Sequence, residues 1–287
     1  MQSIWNDLLG SEVRFRGSKY KTRTIEMGSG EPLILIHGVG GHAEAYSRNI
    51  KRLAQTFRVI AIDLLWHGFS SKPEFEGLLT PHFVDQVLDL ADSMHLSRFA
   101  IEGESLGGWV AMAFALKYPE RVKALILNTT AGIELNTENI KIDAAGGHES
   151  LRDRSIAAIR NPTRETVRKR LEWLMASPDR VTEELIDLRY QIYSNPETQN
   201  SLAGVFERSF GRPRPGALKE EDLAKLVPPT LVLWSEKNPG TGEDFGERVA
   251  QLIPNSKYHS IKDAAHWPQW EKSEEHDAVV KAFLLGV

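Results

Sequence analysis

The chain has 287 residues, 41% of them hydrophobic, so it can bury a sizeable core as one large domain or as one domain with an insertion. Its net charge of −4 is spread along the sequence, which excludes the basic face of a nucleic-acid-binding protein and the polybasic segment of a membrane-surface protein. The chain contains no cysteine, which excludes disulfides, thiolate metal sites and a cysteine nucleophile.

The first ten residues include Asn6 and Asp7, which interrupt the apolar core that a signal peptide needs. No apolar run approaches the roughly 20 residues that span a bilayer. We therefore expect a soluble cytoplasmic protein, and the composition favours neither a monomer nor a homo-oligomer. Six scattered histidines lack the spacing of metal ligands on a helix and are interpreted as surface or core residues: His67, His82, His95, His148, His259 and His276.

Short apolar runs alternate with helical patterns along the chain. Two runs around Gly17 and Ser18 predict a hairpin, 12–16 with 20–27. Further buried strands are predicted at 32–36, 57–62, 99–102, 124–127, 230–234 and 257–261. Helices are predicted at 42–55, 81–94, 106–118, 243–252 and 273–285. Continuous Val, Ile and Leu runs between helices are typical of an α/β fold with a doubly wound, mostly parallel sheet.

The alternation stops between about Gly132 and Pro215, where 163–175 and 181–193 have helical periodicity and no strand is evident. A helical insert after the sixth strand would lie over the carboxyl ends of the strands, where ligands bind in this architecture. We expect a lid at 133–215 on a core formed by 1–132 and 216–287, with a return hinge at 212–216. The basic run 168–170 lacks a second cluster and predicts the solvated face of a helix.

A candidate nucleophile lies in Gly103-Glu104-Ser105-Leu106-Gly107, between the strand predicted at 99–102 and the helix at 106–118. Glycines at 103 and 107 suit a sharp strand-to-helix turn, because a side chain at either position would crowd the backbone. Such a turn presents Ser105 as a nucleophile. A serine hydroxyl is weak alone, so it also needs a base and amide donors for the oxyanion.

His266 is the candidate base, since it follows the last predicted strand. The alternative is a loop histidine packed beside Trp267 and Trp270. The amide of Leu106 is one candidate oxyanion donor, because it opens the helix after the serine.

The loop 37–41, after the third strand, should supply the second donor of the oxyanion hole, with Val39 as the candidate. The alternative is a plain glycine-rich turn. No Gly-Lys-Ser/Thr follows, so it is not a Walker loop.

The order of sheet, His-Gly loop, Asp63–Ser70 segment, serine turn, helical insert and terminal histidine resembles the α/β-hydrolase family over essentially the whole chain. Within that family, the segment 266–271 resembles the meta-cleavage product hydrolases. The resemblance implies hydrolysis of a C–C bond in a small-molecule dienoate of the 2-hydroxy-6-oxo-hexa-2,4-dienoate type, giving a 2-hydroxydienoate and a carboxylic acid. It implies ketonisation of the dienol before water is added beside the C6 ketone, and it implies no metal or organic cofactor.

The resemblance also implies residues that contact the substrate. Arg189 falls where these enzymes carry a lid arginine for the substrate carboxylate, and Gly40 and Trp267 fall in matching segments. For Arg189 the alternative is a solvated helix arginine. The substituent at C6 is left open.

Two features of the chain depart from the family pattern. Many members have an asparagine where this chain has Glu104, and the His-Gly loop is shorter than the common form with a proline. The third departure concerns the acid of the triad, because Asn238 stands after the seventh strand where an aspartate is expected.

Three accounts of Asn238 remain open: an engineered substitution, a natural Ser-His-Asn triad, or another carboxylate that orients His266. The candidates for that carboxylate are Glu236, Glu243, Asp244 and Glu134. An amide oxygen can accept a hydrogen bond from the histidine but cannot offset imidazolium charge. If position 238 is the acid site, an aspartate there should raise turnover.

Several functions compete with C–C hydrolysis. A carboxylesterase or lactonase would use the same serine, histidine and oxyanion hole. A cofactor-free dioxygenase of this fold would need the histidine but barely the serine. A low-turnover ligand-binding homologue would explain Asn238. The serine excludes a haloalkane dehalogenase, in which an aspartate is the nucleophile.

Overall fold

The computed structural model of the protein describes residues 3–136, 148–209 and 215–287. Its centre is an eight-stranded sheet with the order β1-β2-β4-β3-β5-β6-β9-β10. The strands are β1 (Glu12–Arg16), β2 (Thr22–Met27), β3 (Pro32–Ile36), β4 (Arg58–Ile62), β5 (Phe99–Glu104), β6 (Val122–Asn128), β9 (Thr230–Ser235) and β10 (Ser256–Ile261). Strand β2 pairs antiparallel with β1 and β4, and the other neighbours are parallel. The predicted α/β fold with a mostly parallel sheet is confirmed.

Twelve α-helices are assigned in the described residues: α1 (Ile4–Asp7), α2 (Ser47–Leu53), α3 (Leu79–Ser93), α4 (Leu106–Lys117), α5 (His148–Arg160), α6 (Arg164–Leu174), α7 (Glu183–Tyr193), α8 (Pro196–Ser209), α9 (Glu220–Leu223), α10 (Glu243–Leu252), α11 (Pro268–Glu271) and α12 (Ser273–Leu285). The helix predicted at 42–55 is shorter, because a 3-10 turn at Ala43–Tyr46 precedes α2. None of the helices in the described ranges is long and apolar enough to cross a bilayer.

Both faces of the sheet are covered by hydrophobic side chains. Along β3, Leu33 and Leu35 join the cluster on one face, and Ile34 and Ile36 join the cluster on the other. Alternate residues of a strand point to opposite faces, so a strand buried on both sides needs an unbroken apolar run. This is why the apolar runs in the sequence located the strands within a few residues.

The described residues between β6 and β9 are mainly helical. The helices predicted at 163–175 and 181–193 are α6 and α7, and Thr163 and Thr182 cap their N-termini. Two helices without a separate prediction, α5 and α8, flank them. The expectation of no strand in 132–215 was wrong, because β7 (Ile133–Glu134) pairs in parallel with β8 (Leu218–Lys219). Residues 212–214 of the expected hinge lie outside the described residues.

Candidate active site

Ser105 lies at the turn between β5 and α4. Its backbone has φ +52° and ψ −113°, a conformation that a residue with a side chain rarely adopts. The turn leaves no room at its two glycines: a Cβ on Gly103 would lie 2.1 Å from the Gly107 carbonyl, and a Cβ on Gly107 would lie 2.2 Å from the Ile36 carbonyl oxygen. The fold therefore holds the serine in the geometry that the sequence predicts.

His266 lies on the loop after β10 and is held by contacts from α6 and from the segment after β6. Its backbone N–H donates to the Leu174 carbonyl at the end of α6 (2.9 Å), and its carbonyl accepts from the Thr129 hydroxyl after β6 (2.9 Å). The ring of Trp173 meets the imidazole edge-on, with centroids 5.9 Å apart. The helical insert thus contacts the candidate base directly.

Asn238 contacts Nδ1 of His266 through its amide oxygen, at 2.7 Å. Its Nδ2 lies 2.9 Å from the Thr241 carbonyl and 2.8 Å from the Thr241 hydroxyl. A carbonyl can only accept, so the NH₂ group faces Thr241 and the amide oxygen faces the ring. Consequently Nδ1 carries a proton that it donates to Asn238, and Nε2 is the nitrogen available as a base.

Contacts or exposure can be given for each of the four carboxylates considered as substitutes for the acid. The side chain of Glu236 accepts from the Asp263 amide, and that of Glu243 accepts from Ser260 and pairs with Lys262. The side chain of Asp244 accepts from the Phe245 amide, while Glu134 is an exposed residue of β7.

A carboxyl group that the sequence did not indicate lies beside His266. Oε1 of Glu104 is 3.3 Å from Nε2 of His266, and Oε2 accepts from the Gly38 amide at 2.7 Å. The Glu104 side chain is only 1% exposed, and burial raises its pKa to about 8. In sequence, the signals were its position next to Ser105 and its departure from the asparagine of many family members.

The His-Gly loop is held by two arginines from the insert. Nη2 of Arg170 donates to the Val39 carbonyl at 2.6 Å, and Nη1 of Arg189 donates to the Gly40 carbonyl at 2.7 Å. The Tyr193 hydroxyl also donates to the Gly40 carbonyl, at 2.8 Å. Gly40 has φ +71°, and a Cβ there would lie 2.6 Å from that hydroxyl, so only glycine suits this position.

The prediction of a solvated face at 168–170 was wrong for Arg170, which is 2% exposed. Arg170 is in helical phase with Val167, Leu171 and Leu174, all buried residues of α6, whereas Lys169 is exposed. This helical phase could have indicated in the sequence that Arg170 is buried, but the run of like charges obscured it. Burial lowers the pKa of Arg170, which nevertheless remains a cation.

Both arginines have guanidinium nitrogens without a hydrogen-bond partner among the described residues: Nη1 of Arg170, and Nε and Nη2 of Arg189. Arg189 is fully buried and also lies over the ring of Trp267, 5.5 Å from the centroid. Buried N–H groups are costly when no acceptor satisfies them. The arrangement is suited to an anionic group of a ligand. In the described part of the chain, no group of three His, Asp or Glu side chains could hold a metal ion.

A family model described as the alpha/beta hydrolase fold matches residues 31–273. The chain belongs to the α/β-hydrolase family. This hydrolase is 30% identical over 286 residues to a 2-hydroxymuconate semialdehyde hydrolase of Pseudomonas putida, covering 96% of this chain and 94% of the relative. The resemblance to meta-cleavage product hydrolases that the sequence predicts is confirmed.

Solved structures are similar over nearly the whole hydrolase. A meta-cleavage product hydrolase from Pseudomonas fluorescens IP01, a serine-to-alanine variant complexed with acetates, is 27% identical with a TM-score of 0.81 over 98% of this chain and 99% of that one. A membrane phospholipase A, described as a bacterial virulence factor, is 25% identical with a TM-score of 0.83 over 97% of this chain and 87% of that one.

Proposed function

We propose that this hydrolase cleaves the C–C bond beside the C6 ketone of 2-hydroxy-6-oxo-hexa-2,4-dienoate type compounds. The products would be a 2-hydroxydienoate and a carboxylic acid. The relatives named as hydrolases of such compounds support this assignment. The expected location is the cytoplasm.

The observation that carries the proposal is the buried guanidinium of Arg189. It is anchored to Gly40 through Nη1, while Nε and Nη2 have no acceptor among the described residues. A substrate carboxylate offers two acceptor oxygens and a full negative charge, which match a guanidinium. Arg170, held against the neighbouring Val39 carbonyl, adds positive charge to the same loop. A neutral ester could accept a hydrogen bond but would offer neither arginine a full negative charge.

Ser105 and His266 would perform the chemistry. Nδ1 of His266 is engaged with Asn238, so Nε2 would accept the proton of Ser105 or of water and later return it to the leaving carbon. The amides of Leu106 and Val39 would stabilise the oxyanion at C6. The hydrogen bond between His266 and Asn238 orients the imidazole as a base, which supports catalysis rather than the ligand-binding alternative.

Residues 133–215 would form a lid over this site. Three contacts support this role: Leu174 with the His266 amide, Arg170 with Val39, and Arg189 with Gly40. Each joins a helix of the insert to a loop of the catalytic core. The lid would therefore bring the carboxylate-binding arginines to the loop that bears the oxyanion donor.

Arg189→Ala tests the substrate class. The purified protein and the variant are compared on a yellow dienoate, followed by loss of its absorbance, and on a neutral p-nitrophenyl ester. The dienoate should lose about ten- to a hundredfold more kcat/KM than the ester, because both substrates lose the Gly40 anchor but only the dienoate loses a charge-assisted contact. Arg160→Ala is the matched control, because Arg160 is an exposed residue of the insert that pairs with Glu207.

Equal losses on both substrates would remove Arg189 from carboxylate recognition. Ester cleavage without any dienoate turnover in the parent protein would favour the carboxylesterase alternative, to which the similarity to a phospholipase A lends support. Near-parent turnover of Ser105→Ala would favour a dioxygenase that uses the base alone.

A further inference from the structure

Both ring nitrogens of His266 face a side-chain oxygen. Nδ1 meets the amide oxygen of Asn238 at 2.7 Å, and Nε2 meets Oε1 of Glu104 at 3.3 Å. Because Nδ1 already carries the proton donated to Asn238, a neutral His266 has only a lone pair at Nε2. An ionised Glu104 has only lone pairs as well.

Two lone pairs in a buried site repel unless a proton lies between them. The Glu104 side chain is 1% exposed, and Oε1 has no hydrogen-bond partner in the described part of the chain besides this approach to the imidazole. Its other oxygen is engaged by the Gly38 amide. A proton shared by the pair, either as carboxylic acid with imidazole or as carboxylate with imidazolium, removes this repulsion.

We infer that Glu104 is a positioning residue that acts through His266, supplying at Nε2 the counter-charge that Asn238 cannot supply at Nδ1. The inference concerns the proposed serine hydrolase site but does not depend on which substrate that site takes. In the reacting form the pair has released its proton. Nε2 then takes the proton of Ser105 or water, and the resulting imidazolium faces the Glu104 carboxylate.

The proton balance of the pair depends on the charged groups around it. Burial, with a smaller contribution from Glu102, raises the pKa of Glu104 to about 8, although the Gly38 amide and two arginines act in the opposite direction. The pKa of the buried Tyr46 is in turn raised well above its usual value by its own burial and by Glu102 and Glu104. The groups facing Glu104 come from four elements: Arg170 on α6, Arg189 on α7, Glu102 on β5 and Tyr46 in the turn before α2.

Glu104→Gln is the test, because an amide keeps an acceptor for the Gly38 N–H and removes the charge. The imidazole of His266 is titrated by ¹⁵N NMR without substrate, with its signal assigned by its loss in His266→Gln. An adjacent carboxylate should hold the pKa of His266 about one to three units above its value in Glu104→Gln. In Glu104→Gln, the ascending limb of kcat/KM against pH should move to lower pH by a similar amount, on whichever substrate the enzyme turns over.

Glu104→Asp should restore part of the shift, because it retains the charge, whereas Glu236→Gln should leave the titration unchanged, because Glu236 binds the Asp263 amide instead. Identical titrations in the parent and Glu104→Gln would overturn the inference and reduce Glu104 to a support for Gly38. If the variants do not fold, the ¹⁵N spectrum of the parent protein is the test. A signal from Nε2 that is neither protonated nor hydrogen-bonded at pH 7 would overturn the inference. These readouts need no dienoate, so failure of the proposed C–C hydrolysis would be seen separately.

Discussion

The charge beside His266 can be moved from one side of its ring to the other with two substitutions. In this chain a carboxyl group, Glu104, approaches Nε2 and an amide, Asn238, binds Nδ1. Glu104→Asn combined with Asn238→Asp gives the family pattern, in which an amide precedes the serine and a carboxylate follows the strand that is β9 here. The four proteins form a double-mutant cycle around one imidazole.

The distances on the two sides of the His266 ring determine the expected interaction energies. The two contact distances of 3.3 and 2.7 Å, with the ring between them, place the flanking oxygens about 8 Å apart, so two carboxylates there repel by about 2 kcal/mol at an effective dielectric constant near 20. An aspartate at 238 also directs an oxygen at the Thr241 carbonyl, where Asn238 now donates at 2.9 Å. The resulting loss of stability is about 1–3 kcal/mol, but it occurs in both proteins that carry Asp at 238 and cancels from the coupling.

The sequence alone predicts that Asn238→Asp raises turnover, whereas the structure reverses this expectation. With carboxylates on both sides, His266 would hold its proton to higher pH, so the single variant should be slower than the parent at pH 7. Glu104→Asn alone should also be slower, because no carboxylate then faces the imidazolium. The double variant should recover activity, with a coupling of about 2 kcal/mol, or roughly thirtyfold in kcat/KM.

The cycle is measured as kcat/KM at pH 7 on one substrate. Urea unfolding of each protein gives the loss of stability that an aspartate at 238 causes at the Thr241 carbonyl. Glu236→Gln serves as the charge-removing control. Effects that add to within about 0.5 kcal/mol would refute the view that positions 104 and 238 act on the same imidazole. A faster Asn238→Asp single variant would show that Glu104 carries no charge in the reacting enzyme.

Three further variants examine the serine turn and the support of the base. Ser105→Ala should stay folded and bind substrate while releasing almost no product, as single-turnover absorbance would show; normal turnover would exclude a nucleophilic serine. Gly107→Ala should lower the free energy of unfolding by more than about 3 kcal/mol, because its Cβ would lie 2.2 Å from the Ile36 carbonyl oxygen, and a near-parent urea midpoint would contradict that crowding. Thr241→Val removes one of two acceptors of the Asn238 amide and should lower kcat/KM a few fold; a loss as large as that of His266→Ala would mean that the Thr241 carbonyl does not hold the amide.

The sheet, the serine turn and the position of the candidate base in the chain could be predicted from the sequence. Strands buried on both faces require unbroken apolar runs, so β3 could be located to the residue. The turn at Ser105 is equally local, because Gly103 and Gly107 are required by backbone atoms that lie within or directly beside it. The strands depend on periodicity and Gly103 on backbone atoms of its own turn, whereas Gly107 is required by the Ile36 carbonyl of the neighbouring strand β3.

The support of His266 depends on tertiary contacts. Asn238 could have turned either end of its amide to the ring, and the choice depends on the Thr241 carbonyl. The insert turns Arg170 towards the Val39 carbonyl, 131 residues away in sequence. Glu104 approaches Nε2 because the end of β5 and the loop after β10 meet at one edge of the sheet. Amide orientation, burial of a charge and proton sharing are properties of distant side chains in contact, and no local pattern encodes them.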